Sequence, residues 1–173
     1  MTALLTLNAI RAHGPCEDGW RKLLAYLGKT GGDDEPLSML TVLESNGVDD
    51  TLWCLRCIKG RDGAIRLLAC EYAQSVAHFN ADPRVQAAID VARRHAVGDA
   101  TDAGLEAARK AARAASAAVL QDASLAWARD AAWAAAEAAA EAAYDAAWEA
   151  ARYAAYDARV AILRRWIIQQ EAA

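Results

Sequence analysis

The spacing of apolar positions predicts helices along the whole chain. Leu4 to His13 reads as a short first helix. Pro15 falls in the first turn of a second, which runs through Trp20, Leu23, Leu24 and Leu27 to a stop at Gly28. "GKTGGDDE" is a polar loop, and Pro36 opens "PLSMLTVLES", which Asn46-Gly47 closes. Asp49 or Asp50 is placed to cap "VDDTLWCLRCI", and Lys59 to Gly63 is a turn. In the next segment, Ala64 to Phe79, Ile65, Leu68, Tyr72, Val76 and Phe79 recur at threes and fours and draw one apolar stripe. Asp82-Pro83 is a cap followed by a first-turn proline, opening a helix that reaches Ala96 and stops at Gly98. No run shows convincing strand alternation. "TLWCLRCI" is the one stretch where a non-helical reading competes.

Beyond Gly98 the pattern changes. From 100 to 173, 33 residues are alanine, and no proline follows Pro83 and no glycine follows Gly104. A single helix over 103–168 would span roughly 100 Å at about 1.5 Å per residue, which is long for a small domain. "QDAS", Gln121 to Ser124, is the best place for a break. The rest, 125–168, is either a long helix or a hairpin whose turn carries no sequence mark, and at least one long helix is the expectation. The fold class expected is all-α: an antiparallel helical bundle with long alanine-rich C-terminal helices. Its parts are a short-helix region, 1–98, and an alanine-rich region, 99–173, packed together as one domain.

On a helical wheel, residues 130–158 separate into two sides. One is nearly pure alanine: Ala132, Ala135, Ala136, Ala139, Ala143, Ala146, Ala147, Ala150 and Ala154. The other carries Trp133, Tyr144, Trp148 and Tyr156 together with Glu137, Glu141, Asp145 and Glu149. A smooth alanine face lets a second helix approach closely, and alanine is the best helix former. The aromatics either cover the molecule's own core or anchor a partner, since Trp and Tyr combine apolar area with a polar handle. The four carboxylates read first as a solvated face, and as an acidic stripe for a basic partner second.

Composition narrows the classes. The chain has 173 residues, enough for one domain with a real core. Net charge is -4, which favours solubility and gives no general attraction to nucleic acid. The N-terminus is too short and too polar for a signal peptide, and charges interrupt the alanine tract too often for a membrane span. A cytoplasmic location is expected. Cys16, Cys54, Cys57 and Cys70 are then expected to be reduced and mostly buried.

The chemical motifs are weak. Cys54-Leu-Arg-Cys57 has metal-site spacing but lacks a second such pair, so buried structural thiols are the better reading. Gly28-Lys29-Thr30 resembles the end of a phosphate loop, but leucine stands at 23 where that motif needs glycine. His78 lies opposite the apolar stripe, and His95 sits near a helix C-terminus, where a cation is favoured. Asp33, Asp34, Glu35, Asp49 and Asp50 suit caps, solvation or an acidic rim. No catalytic residues, cofactor or metal are expected.

"PCEDGWRKLLAYLGK", "DDEPLSMLTVLESNGVDDTLWCLRCI", "RLLACEYAQSVAHF" and "DPRVQAAIDVARRHAVGDAT", followed by the alanine-tryptophan tail, carry a resemblance over about residues 12–160. The pattern resembles the immunity-protein family, small alanine-rich all-helical proteins of bacteria and phages. It does so at Cys16, Trp20, Asp50, Trp53, Leu55, Arg66, Ala69, Ala73, Asp82-Pro83, Gly98 and the alanines after Leu105. The resemblance implies a cytoplasmic protein that binds and blocks another protein, a toxin or a host defence component, without catalysis. Trp133, Tyr144, Trp148, Tyr153 and Tyr156 are the expected anchors, and Asp33, Asp34 and Glu35 come second. Trp20 and Trp53 are expected in the core. The alternative is a structural protein whose alanine-rich helices form a homodimer.

Overall fold

The computed structural model describes residues 5–118, 126–139 and 143–173, with backbone alone at 143 and 144. Among these residues the protein is an all-α, multi-helix bundle without a sheet. The proposed break at Gln121 to Ser124 and the carboxylate of Glu141 lie outside the described residues, as does the side chain of Tyr144. No described helix is long and apolar enough to cross a membrane.

The chain forms two compact units, Met1–Gly60 with Leu163–Ala173, and Arg61–Ile162. The compositional shift near residue 98 falls inside the second. In the first unit, α1 (Leu7–Ala12) is capped by the Thr6 hydroxyl, which accepts from the Ala9 N–H. Helix α2 (Glu17–Leu27) follows, with Cys16 as its N-cap, so Pro15 precedes the helix instead of entering its first turn. Gly28 ends α2 in the left-handed conformation, φ 66°, which an L side chain rarely adopts. Helix α3 (Met39–Asn46) starts three residues later than Pro36 because Ser38 supplies the cap, accepting from the Leu40 N–H. Helix α4 (Val48–Cys54) starts directly after Gly47, which leaves Asp49 and Asp50 in its first turn rather than at its cap. There they suit the positive end of the helix dipole. "TLWCLRCI" is helical, ending in a single 3-10 turn at Leu55–Cys57.

The last helix, α10 (Tyr156–Ala172), begins in the second unit and continues into the first. Its Glu171 closes the N-terminus of α3: the carboxylate accepts from the Ser38 hydroxyl at 2.8 Å and from the Met39 N–H at 2.9 Å. Two donors that α3 cannot satisfy itself thus meet a charged acceptor. Leu5, Leu7, Met39, Val42, Leu52, Leu55, Leu163 and Ile167 are among the fully buried residues of this unit's core. An isolated antiparallel bridge joins Leu5 and Leu37.

The second unit is built around α5 (Asp62–Ala77), with α6 (Pro83–Ala96), α7 (Asp102–Ala118), α8 (Ala126–Ala138), α9 (Ala143–Ala151) and the start of α10. Helices α6, α8 and α9 pack on α5, and α7 packs on α6 and α8. Asp82 caps α6, accepting from the Arg84 N–H with Pro83 in the first turn, and Gly98 follows its end with φ 86°. The predicted stripe of α5 is buried at Ile65, Leu68, Tyr72 and Val76, but Ala69, Cys70, Ala73, Ala77 and Arg66 are buried as well. At about 100° per residue, burial covers roughly half the helix circumference. Phe79 leaves the stripe, because α5 ends at Ala77 and Phe79 lies in the connection, half exposed.

Of the two readings of 125–168, a long helix or a hairpin with an unmarked turn, the single long helix is not met. Helices α8, α9 and α10 contain 13, 9 and 17 residues, so one wheel does not span residues 130–158. Helix α9 ends without glycine or proline: Arg152, Tyr153 and Ala154 donate to carbonyls three residues back. Tertiary burial decides this division. A 16-residue helix is about 24 Å long, so a straight 40-residue partner would leave most of its alanine face in water. Broken into short pieces, the tract buries alanine on several sides. In α8, Ala131, Ala132, Ala134, Ala135, Ala136 and Ala138 are all fully buried.

This burial makes side-chain size decisive at the buried alanines. Ala69→Leu and Ala135→Leu should each destabilise the protein by about 1–3 kcal/mol through overpacking. The exposed Ala117→Leu should stay within about 0.5 kcal/mol of the parent. Urea denaturation followed by far-ultraviolet circular dichroism measures the difference.

Candidate functional site

The acidic loop is tied to its own lysine. Lys29 follows the left-handed Gly28 and donates through Nζ to Asp33 Oδ2 at 2.5 Å and to Glu35 Oε2 at 2.6 Å. Asp33 Oδ1 also accepts from the Glu35 N–H. The lysine hydrogen bond holds the Asp33 carboxyl below its usual pKa, and the two carboxylates hold the Lys29 ammonium above its own. Asp34 is exposed. Of the three expected acidic contacts, two therefore already have an internal cation.

The expected aromatic anchors are not presented on one helix face. Trp133 is half-buried, with the Arg113 guanidinium 5.0 Å from its ring centroid. Trp148 and Tyr153 are also half-buried, and burial raises the Tyr153 hydroxyl pKa. Tyr156 opens α10 and is 62% exposed. The solvated-carboxylate reading fails at Glu137, which is 7% exposed and accepts from Arg113 Nη2 at 2.8 Å. Because α8 is enclosed on several sides, its carboxylate needs a partner from α7, since an unpaired buried charge is strongly unfavourable. Asp145 is exposed, and Glu149 pairs with Arg152.

A different aromatic surface is present in the second unit. The Phe79 and Trp127 ring centroids lie 5.3 Å apart, and the His78 ring lies 3.9 Å from Phe79. Phe79 is 43% exposed and Trp127 63%. The backbone beneath is fixed: Asn80 Nδ2 donates to the Ala128 carbonyl at 2.7 Å, and Asn80 Oδ1 accepts from the Asp82 N–H. The short connection between α5 and α6 and the first turn of α8 thus hold three rings together at the surface. Neither Phe79 nor Trp127 was expected as an anchor. The readable signal was the Asp82-Pro83 cap, which requires α5 to end before it and puts Phe79 in a connection. The approach of Trp127, 48 residues further on, had no local mark.

Two recesses hold the remaining chemistry. In the first unit, Ile10, Pro15, Cys16, Gly19, Trp20, Leu23, Val42, Asn46, Asp50, Trp53 and Cys54 line a pocket of about 80 Å³. Trp20 and Trp53 are half-buried walls of this pocket and not closed core. In the second unit, Arg66, His95, Asp102, Leu105, Glu106 and Ala139 line a recess of about 340 Å³. His95, at the C-terminal end of α6 as expected, has Nε2 2.7 Å from Asp102 Oδ1. That recess brings two carboxylates together with a guanidinium and an imidazole.

Cys54, Cys57 and Cys70 are buried free thiols, and Cys16 is exposed. Among the described residues no three His, Cys, Asp or Glu side chains converge as a metal-ligand set. Burial pushes the Cys57 and Cys70 thiols up to about 11 and Cys54 further in the same direction. No protein-family model, curated protein or solved structure matches this chain.

The thiols give a two-part prediction. At pH 8 iodoacetamide should modify Cys16 rapidly and the other three only after denaturation, as counted by intact mass. The fold also holds the buried thiols neutral, with folded pKa values above the unfolded ones. Their contribution is complete below the ordinary thiol pKa and is lost as pH rises toward about 11. The urea midpoint should fall over that window, and fall less in Cys70→Ala.

Proposed function

We propose that this chain is a protein-binding inhibitor of the immunity-protein kind. It holds a target protein in the cytoplasm, a toxin or a defence component, and blocks it by covering its surface, with no chemical step of its own. The observation that carries this reading is the exposed Trp127–Phe79–His78 cluster on a hydrogen-bonded base. Aromatic side chains dominate interface energies when a partner desolvates them, and a rigid base reduces the ordering such binding requires. Exposed Tyr156 belongs to the same unit and is a further anchor. Trp133, Trp148 and Tyr153 take a supporting role, since much of each ring already meets its own unit. The sequence resemblance to the immunity-protein family points the same way.

The immobilised chain, incubated with lysate from its native host, should retain one protein in stoichiometric amount, identifiable by mass spectrometry. The chain should inhibit that protein's activity when both are purified. Phe79→Ala with Trp127→Ala should weaken the complex at least about thirty-fold, the loss expected of a hot-spot pair, while the helical signal and the urea midpoint stay near the parent's. Undiminished binding by the double variant refutes the assignment of the surface. Sedimentation as a stable homodimer that captures nothing favours the self-assembly alternative.

A further inference from the structure

The pocket in the first unit lies apart in sequence from the aromatic cluster, and its chemistry is different. We propose that it receives the basic side chain of a protein partner, a lysine or an arginine, with the alkyl stem along Trp20 and Trp53 and the cationic end at Asp50. The protein origin of that side chain rests on the inhibitor reading. The pocket's preference for a hydrophobic cation does not.

Ile10, Leu23, Val42 and the two indoles make most of the lining apolar, and Asp50 is the one formal charge in it. Two features hold that carboxylate in place. Asn46 Nδ2 donates to Asp50 Oδ2 at 2.7 Å and to the Gly19 carbonyl at 2.8 Å, which ties α3, α4 and α2 together at this point. Position 19 has no side chain, and a Cβ there would lie 2.8 Å from Asp50 Oδ2 and 3.1 Å from Cys16 Sγ. Glycine therefore makes room for the carboxylate within α2, where it is otherwise a poor helix former. Among the described residues, Asn46 is the one side-chain donor to Asp50, and it brings no positive charge.

An apolar occupant without charge would cover this carboxylate and leave it uncompensated, and an anion would be repelled. A cation on an alkyl stem meets both halves of the lining. The stem replaces water against the indoles, and the head pairs with Asp50 near two rings whose faces attract cations. Trp53 already engages a cation within the chain: the Arg56 guanidinium lies 4.6 Å from its centroid, and Arg56 is not part of the pocket lining. The volume of about 80 Å³ is several times what one water needs, so an alkyl stem has room to enter.

The test uses the full chain and four small probes: n-butylammonium, n-butylguanidinium, n-butanol and butyrate. The readouts are the indole N–H resonances of Trp20 and Trp53, assigned through Trp20→Phe and Trp53→Phe, and the rate of Cys16 alkylation. Both cations should shift the two resonances saturably, with Kd on the order of 1–10 mM for ligands of this size, and should slow alkylation at least about two-fold. Butanol should bind about ten-fold more weakly, and butyrate should cause no saturable shift. Asp50→Asn should remove the preference for the cations. Gly19→Ala, which displaces the carboxylate sterically, should do the same independently if Asp50→Asn disturbs folding. Butanol binding as well as butylammonium, butyrate saturating the same resonances, no saturable shift with either cation, or an undiminished cation preference in both variants overturns the proposal. None of these outcomes bears on target capture through Phe79 and Trp127, which belong to the other unit, so the two readings fail separately.

Discussion

The second unit depends on how closely its helices approach α5. Roughly half of that helix's circumference is buried, yet apart from Arg66 the residues that widen the buried arc are small, Ala69, Cys70, Ala73 and Ala77, and apart from Glu137 the buried residues of α8 are again alanines. Small side chains allow short interhelical distances, and short distances let α6, α8 and α9 all reach the same helix. The consequence is a core made of many backbone-proximal contacts around a few large residues, Tyr72, Leu68, Ile65 and Ile89. Tyr72 is fully buried, and its hydroxyl donates to the Arg159 carbonyl at the start of α10.

That constraint also determines the fate of the charges. A helix enclosed on several sides has no solvated face to give its acids, so Glu137 takes Arg113 from α7. The same arginine lies against Trp133, which fixes one indole and one carboxylate with a single cation. Rings that find such partners inside the unit are drawn partly below the surface. Those at element boundaries, Phe79 after α5, Trp127 in the first turn of α8 and Tyr156 at the start of α10, remain outside. The proposed binding surface is therefore a product of where helices stop, and the proposed side-chain pocket in the other unit is a product of where a glycine lets a carboxylate in.

Much of the first half was legible residue by residue. The Asp82-Pro83 start, the Gly28 and Gly98 stops and the Asn46-Gly47 boundary each rest on local chemistry: a side-chain acceptor, a ring-fixed φ or a left-handed glycine. Errors of up to three residues arose where two signals competed, as when Ser38 and not Pro36 set the start of α3. The candidate site was less legible. Trp20 and Trp53 were readable as apolar helix residues, but their place around Asp50 requires α2, α3 and α4 to converge, and no local pattern reports that. The alanine tract was misleading as one wheel, because alanine is compatible with helix at every position and so marks no end.

Sequence alone determined that this chain is helical and where most N-terminal helices begin and end, since caps, glycine stops and three-four periodicity act over a few residues. It also determined which residues are large and which are small, hence that helices pack closely. Tertiary structure alone decided where the alanine tract divides, that Glu137 is buried with Arg113, and which aromatics remain exposed. The physical reason is that a uniform run of strong helix formers marks no end of its own and each break costs hydrogen bonds and a new nucleus, so only burial, with α8 and α9 against α5 across long sequence distances, offsets that cost and sets where the breaks fall.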